Sequence, residues 1–348
     1  MSPTRSRLRL VVPVLALSLL AAACGSSGSS PKSTGSGGTG SAAALSGKIN
    51  LVAYSTPQKA YADLITAFNA TDAGKNVSFS KSFGGSGDQS RAVVAGQPAD
   101  VVEFSVASDM TRLVDANMVA ADWNSGQYKG MVTDSVTVFA VRKGNPKNIK
   151  TWDDLIKPGV EVITPNPFQS GGAQWNIMAA WGAQMAAGKT EAQAIQYLKD
   201  LFKHVPVQDD SARKALATFT GGKGDVMLAY ENEAIFAQQQ GEPLDYVVPD
   251  DTILIENPVA ATSIAKNPTA AKAFVQFLYT PEAQAIFLKN GYRPVVSGVA
   301  GADKFPTPSG LFDITKFGGW KAVKKKFFDP DKSIMKDVED SVGVSTGG

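Results

Sequence analysis

Along most of this chain the apolar positions switch between strand-like and helix-like spacing. Lys48 to Tyr54 is mostly apolar and predicts a strand, and Val77 to Phe83 alternates and predicts a second. Between them Tyr61, Leu64, Ile65 and Phe68 fall on one helical face. Arg91 to Val94 reads as helix and Ala99 to Phe104 as a buried strand. Ser135 to Arg142 and Val160 to Ile163 follow as strands, and Trp175, Met178, Ala179 and Gly182 return to helical spacing. Ala192, Ile195, Leu198, Phe202 and Val205 mark a long helix; Val226 to Tyr230 is a strand, and Glu233 to Gln240 a helix. Such alternation, with no internal repeat, predicts a doubly wound α/β architecture. The strand Ser135 to Arg142 and the extended stretch Tyr246 to Asn257 are suited to crossing between two lobes.

The N-terminal segment follows different rules. Arg5, Arg7 and Arg9 precede the apolar run Leu10 to Leu20, which is too short for a stable membrane span. Ala21-Ala22-Ala23-Cys24-Gly25 then resembles a bacterial lipobox, with Ala21 where Leu is usual. The resemblance implies cleavage before Cys24 and lipidation of that cysteine; the plainer alternative is an ordinary secretory signal. Residues 1–23 are therefore expected to be a signal peptide, and 24–45 a lipidated cysteine with a flexible Gly/Ser tether. The expected location is the outer face of the cell membrane. The rest divides by expectation into a discontinuous first lobe, 46–134 with 256–348, and a second lobe, 135–255.

Composition narrows the chemistry. Cys24 is the only cysteine, so disulfides and a thiol nucleophile within the fold are excluded. His204 is the only histidine, which excludes a multi-histidine metal site and a second histidine for acid–base work; no metal or cofactor is expected. Loss of the signal leaves 31 of the 34 basic residues against 32 acidic ones. A near-neutral chain without a basic patch gives no reason to expect nucleic acid, and any anion preference must arise from local geometry.

Ligands in open α/β sheets sit outside the carboxyl ends of strands, which directs attention to the strand-to-helix turns. Ser170-Gly171-Gly172 places a hydroxyl and unpaired backbone N–H groups at a helix start, where the dipole favours an anion, and the glycines admit close approach. Gly84-Gly85-Ser86-Gly87-Asp88 is a second glycine-rich turn. Tyr54-Ser55-Thr56-Pro57 is a third, with Thr56 placed to cap a helix beginning at Pro57, and Asp210-Ser211-Ala212-Arg213 is a fourth. Each alone is satisfied by plain helix capping. Tyr230, before Glu231-Asn232-Glu233-Ala234, offers either a ligand hydroxyl or an aromatic plug for the sheet edge.

These turns belong to a wider set of motifs. Pro98-Ala-Asp-Val-Val102, Val141-Arg-Lys-Gly-Asn-Pro-Lys147, the run Trp152 to Pro167, Ser170-Gly-Gly-Ala173, Glu231-Asn-Glu-Ala234, Leu278-Tyr-Thr-Pro-Glu282, Tyr292-Arg-Pro294 and Phe317-Gly-Gly-Trp320 span the folded region. Together the chain resembles the sulfate-binding proteins of ABC transporters. The resemblance implies a two-lobe type II periplasmic-binding-protein architecture, each lobe a doubly wound, mainly parallel sheet. It implies capture of sulfate or thiosulfate by neutral donors at Thr56, Ser86, Ser170, Gly171, Gly172, Ala212 and Tyr230, and delivery by a monomer to an ABC permease. Three positions depart from the family pattern: Ser55-Thr56-Pro57 replaces Tyr-Asp-Pro, Asp88 replaces Lys, and Tyr230 replaces Trp. A backbone donor at Thr56 survives such a change, Tyr230 still donates through its hydroxyl, and Asp88 is expected to serve its helix start while facing away from the ligand. Other oxyanions (phosphate, molybdate, a sulfonate) are the alternative ligands. A secreted hydrolase using Glu231 and Glu233 or Asp209 and Asp210, and a cell-wall structural protein, are the alternative classes. Lys324-Lys325-Lys326 is expected to form a solvated face.

Overall fold

The computed structural model describes residues 45–344; the expected signal peptide, Cys24 and all but the last residue of the tether lie outside them. The first run is β1 (Ser46–Tyr54), α1 (Gln58–Ala70), β2 (Asn76–Gly84), α2 (Ser86–Val94), β3 (Val101–Glu103) and α3 (Ala107–Asp115). The second is β4 (Met131–Arg142), β5 (Val162–Ile163), α4 (Gly171–Ala186), α5 (Glu191–Lys203), α6 (Ala212–Thr220), β6 (Val226–Tyr230), α7 (Glu231–Gln239) and β7 (Leu244–Val247). The third is β8 (Asp251–Ala261), α8 (Pro268–Phe277), α9 (Pro281–Lys289), β9 (Arg293–Pro294), β10 (Gly310–Phe312), α10 (Gly319–Phe327) and α11 (Ile334–Ser341).

The main strand order is β2-β1-β3-β8-β4-β6-β5, with β10 beside β8 and both β7 and β9 beside β4. β1 is parallel to β2 and β3, and β5 is parallel to β6; helices make the crossovers that parallel pairs require. The central strands β8 and β4 run antiparallel to each other and to their flanking neighbours β3 and β6. β4 pairs with β8 through Val136 and with β6 from Thr137, so one strand serves both halves of a curled sheet. β8 does the same, pairing with β10 at Asp251–Ile253, with β4 in its middle and with β3 at its end.

Helices cover both faces. On the first half Ile49, Leu51 and Ala53 of β1 point into a core with Tyr61, Leu64, Phe68, Phe274 and Phe287. Val52 points the other way, toward Val93, Phe104, Met110 and Leu113. That division is the period-two rule of a strand buried on both faces. On the second half Phe139 and Val141 face Trp152, Trp175 and Leu198, while Val138 and Ala140 face Phe219, Met227 and Ala229.

Two local readings change. The long helix ends at Lys203, and its buried face is Ala194, Tyr197, Leu198, Leu201 and Phe202, with Ala192 in solvent. Tyr197 turns the helix inward, because its hydroxyl donates to the Trp152 carbonyl at 2.6 Å. The stretch Tyr246 to Asn257 is not one strand: β7 stops at Val247 and β8 begins at Asp251, on either side of Pro249. Proline has no N–H with which to continue a ladder.

Candidate functional site

Four helices begin around one small, tight cavity bounded by Tyr54, Ser55, Thr56, Gly84, Gly85, Ser86, Ser105, Ser170, Gly171, Gly172, Ala212 and Tyr230. All seven residues expected at a ligand site lie on its wall. They come from just beyond β1, from the carboxyl end of β6 and from the cap or first positions of α2, α4 and α6, where helix N–H groups have no intrahelical partner.

The turn into α4 is built by Asn166, whose side chain accepts the Phe168 N–H at 2.8 Å and whose carbonyl accepts the Ser170 N–H at 2.8 Å. Ser170 then caps α4, its Oγ accepting from Ala173 N at 3.4 Å, which leaves the hydroxyl proton free to donate. Gly171 and Gly172 are the first two helical residues. A Cβ on Gly171 would lie 2.7 Å from Ser105 Oγ and 3.2 Å from Ser86 Cβ, so only glycine lets these walls approach. The far end of the turn is held by Trp175, whose indole donates to the Ser105 carbonyl at 2.7 Å and is met edge-on by Trp320 at 4.6 Å.

Ser86 opens α2, but its hydroxyl is engaged elsewhere. It donates to Asp109 Oδ2 at 2.7 Å and accepts the Ser105 N–H at 2.9 Å. Asp109 is itself held by Arg112 at 2.9 Å. Ser86 therefore faces the cavity as a backbone donor. Ala212 opens α6, and the next N–H, that of Arg213, goes to Ser55 Oγ at 3.3 Å.

Thr56 does not cap α1. The cap position is Pro57 without a side-chain bond, and the Thr56 hydroxyl instead meets the Tyr292 hydroxyl at 3.1 Å. This correction is tertiary in origin, since Tyr292 lies far along the chain and its hydroxyl outcompetes the local cap.

The cavity wall carries no charged side chain. The Arg213 guanidinium points away, bonding the Thr56 carbonyl at 2.7 Å and Glu233 at 2.8 Å while stacking 3.8 Å over Phe236. Asp88 is half-exposed and pairs with Arg91 on its own helix. Burial pushes the hydroxyls of Tyr230 and Tyr54 well above the ordinary tyrosine range, so both stay protonated as neutral donors. Positive potential in the cavity therefore comes from helix ends and N–H groups.

Three of the four carboxylates of the hydrolase alternative are held in ion pairs. Glu231 pairs with Arg293 at 2.8 Å, Glu233 with Arg213, and Asp210 with Lys214. His204 caps α5, its Nδ1 2.8 Å from the Val160 carbonyl. Among the described residues no cluster of three or more His, Cys, Asp or Glu is placed to hold a metal. The lysine run is a solvated face only in part. Lys326 reaches Glu191 at 2.7 Å, whereas Lys324 is half-buried, and its desolvation lowers its pKa.

Five wall residues, Tyr54, Ser55, Gly84, Gly85 and Ser105, were not among the seven sequence candidates, and of these Ser105 alone lay outside the turns singled out. Tyr54 ends β1, and Ser105 follows Phe104 just past β3. Position beyond a strand's carboxyl end was the available signal. Ser105 carries no glycine or helix cap to single it out.

Comparison with known proteins follows the same outline. Residues 49–293 match a family model described as bacterial extracellular solute-binding protein. A sulfate-binding protein of Synechococcus elongatus is 43% identical over 294 residues, 81% of this chain and 83% of the relative. A thiosulfate-binding protein of Pseudomonas aeruginosa is 36% identical over 297 residues, covering 80% of this chain and 88% of the relative. The solved structure of the sulfate-binding protein SubI from Mycobacterium tuberculosis superposes with a TM-score of 0.79 at 44% identity, covering 81% of this chain and 99% of that one.

Proposed function

Because this chain belongs to the family of bacterial extracellular solute-binding proteins, we propose that it captures sulfate or thiosulfate and delivers it to an ABC permease. It is a binding protein and not an enzyme, as its relatives are named for binding. One observation carries the ligand assignment: the starts of α2, α4, α6 and α7 surround a cavity whose wall has no charged side chain. Sulfate is fully ionised at neutral pH and only accepts hydrogen bonds, so an array of donors satisfies it. Each such bond contributes about 1.5–3 kcal/mol, and seven give on the order of 10–20 kcal/mol before the dianion's desolvation is subtracted. A micromolar site needs only about 8 kcal/mol net. Phosphate near neutral pH carries a proton that needs an acceptor, and leaving it unpaired disfavours phosphate. Asp88, half-exposed and paired with Arg91, serves its own helix in this reading and supplies no such acceptor.

Calorimetric titration of the Ser46–Gly348 fragment with sulfate, thiosulfate, phosphate and molybdate tests the reading. Sulfate or thiosulfate is expected to bind at micromolar concentration or below, with phosphate far weaker. A phosphate preference would overturn the assignment. Ser170→Ala removes a cavity hydroxyl, and sulfate affinity is expected to fall about ten- to a hundredfold. The same change removes a cap of α4, so the unliganded protein should also lose about 1 kcal/mol of stability. Unchanged sulfate affinity in this variant would remove Ser170 from the site.

In the same proposal the two lobes, 46–134 with 256–348 and 135–255, close by a hinge around the anion and dock on the permease as a monomer. Lipidated Cys24 holds the protein at the outer membrane face, and the Gly/Ser tether gives it reach. Cys24→Ser is expected to release the protein into the soluble extracytoplasmic fraction. Detergent phase partitioning identical to that of the parent would rule out the anchor.

A further inference from the structure

The seven expected donors omit a hydroxyl that shares the cavity wall with Tyr230. The Oγ of Ser105 lies 2.5 Å from the Tyr230 hydroxyl, and both residues are almost wholly buried. They arrive from opposite halves of the sheet, Ser105 from beyond β3 and Tyr230 from the end of β6. The backbone of Ser105 is clamped: its N–H donates to Ser86 Oγ, and its carbonyl accepts from Trp175 at 2.7 Å and from Asn257 Nδ2 at 3.1 Å. Asn257 has its orientation set by Thr133, whose hydroxyl donates to Asn257 Oδ1 at 3.2 Å, so its amide nitrogen is turned to the Ser105 carbonyl and offers the pair no acceptor.

Counting protons defines what the pair offers. Two hydroxyls joined by one hydrogen bond hold two protons; one is consumed between them and one is free. Both residues line the cavity wall and, among the described residues, the hydroxyls are bonded only to each other, so the free O–H is left to point at the cavity. We infer that Ser105 and Tyr230 act as one donor unit, either hydroxyl able to present that single proton to the bound oxyanion, which makes Ser105 a ligand-contacting residue of the site. The inference rests on the sulfate reading above and adds to it a shared donor spanning the two halves of the sheet. It also accounts for how the cavity works with a phenol: the Ser105 hydroxyl fixes the direction of the Tyr230 O–H, or replaces it.

A double-mutant cycle on the sulfate dissociation constant tests the unit, using Ser105→Ala, Tyr230→Phe and the double variant in the Ser46–Gly348 protein. Each single variant keeps one hydroxyl and is expected to lose less than about fivefold, whereas the double variant keeps none and is expected to lose about thirtyfold or more, the size of one charge-assisted hydrogen bond. Thermal melting of the unliganded proteins accompanies the titrations, since a merely structural Ser105 would move the melting temperature and leave the binding effects additive. Additive losses, or a Ser105→Ala variant as weak as the double one, would overturn the shared donor. A parent that binds no sulfate would instead overturn the proposed function itself, so the two failures are distinguishable. If Tyr230→Phe disturbs packing, Ser105→Thr supplies the second check: it retains the hydroxyl, and its affinity should stay closer to the parent than that of the double variant.

Discussion

Replacing Gly171 with alanine is expected to weaken sulfate binding by at least about a hundredfold, roughly 2.7 kcal/mol. The new Cβ would sit 2.7 Å from both Cβ and Oγ of Ser105 and 3.2 Å from Ser86 Cβ, closer than carbon atoms tolerate. Ser105 cannot simply retreat, because its backbone is bonded to Ser86, Trp175 and Asn257. The walls must move apart, and a site made of many short donor bonds loses several of them together. Overpacking of this kind also costs about 1–3 kcal/mol of stability. Gly172→Ala separates the two effects. Its Cβ would meet Ala212 Cβ and Ser170 Oγ at 3.4 Å and Tyr230 Cε1 at 3.7 Å, ordinary contacts that need no rearrangement. Alanine also suits a helix better than glycine by up to about 1 kcal/mol. This variant should therefore melt at or above the parent's temperature yet bind sulfate about tenfold or more weakly, because the methyl occupies ligand space. Calorimetry and thermal melting on both variants check the pair. A Gly171→Ala protein binding within threefold of the parent would mean that the anion does not sit against this helix start.

The residues read from sequence were those whose local pattern already implied their role. Ser170-Gly171-Gly172 announced a helix start, and Asp88 was read as an acid of the first turn of its helix, where it stands. What sequence concealed depends on partners distant along the chain. Thr56 was read as a cap, but Tyr292 reaches it from the segment after α9. Sequence marked one apolar face of α4, Trp175, Met178, Ala179 and Gly182, yet nearly the whole helix is buried. Phe312 explains why Gly182 carries no side chain, since a Cβ there would fall 2.1 Å from its ring. The motifs that made the resemblance specific turn out to be braces for the cavity: Tyr292 holds Thr56, Arg293 holds Glu231, and Trp320 covers Trp175. Spacing alone does not encode such braces, because their partners lie on other elements.

Glu103 provides the last expected result. It ends β3 two residues before Ser105, is wholly inaccessible, and neither carboxyl oxygen has a hydrogen-bond partner among the described residues. The hydroxyls facing it belong to Tyr54 on β1, Tyr61 on α1, Tyr279 after α8 and Tyr292 after α9; none carries a compensating charge. Desolvation pushes the Glu103 carboxyl up from 4.5 to about 8. The folded pKa is thus raised above the unfolded one, so the folded state binds the extra proton between those values. The stability linked to that proton is fully present below about pH 4.5 and is lost as pH rises through about 8. At 1.36 kcal/mol per unit the whole effect is on the order of 5 kcal/mol. Asp134 and Glu339, each raised to about 7 by burial, add slopes of the same sign, so the parent should lose stability steadily from pH 5 to 8.5. Glu103→Gln isolates one group, because the other two titrate equally in both proteins. Near pH 5 the variant should be no more stable than the parent, since both carry a neutral polar side chain in the same place. Near pH 8.5 it should be more stable by about 3 kcal/mol or more, because the amide has no charge to desolvate. Urea unfolding of both proteins at pH 5, 6.5 and 8.5 measures the difference directly. A gap between variant and parent that stays constant across that range would show Glu103 to be ionised in the folded protein throughout, and the tyrosines around it to be stabilising its charge.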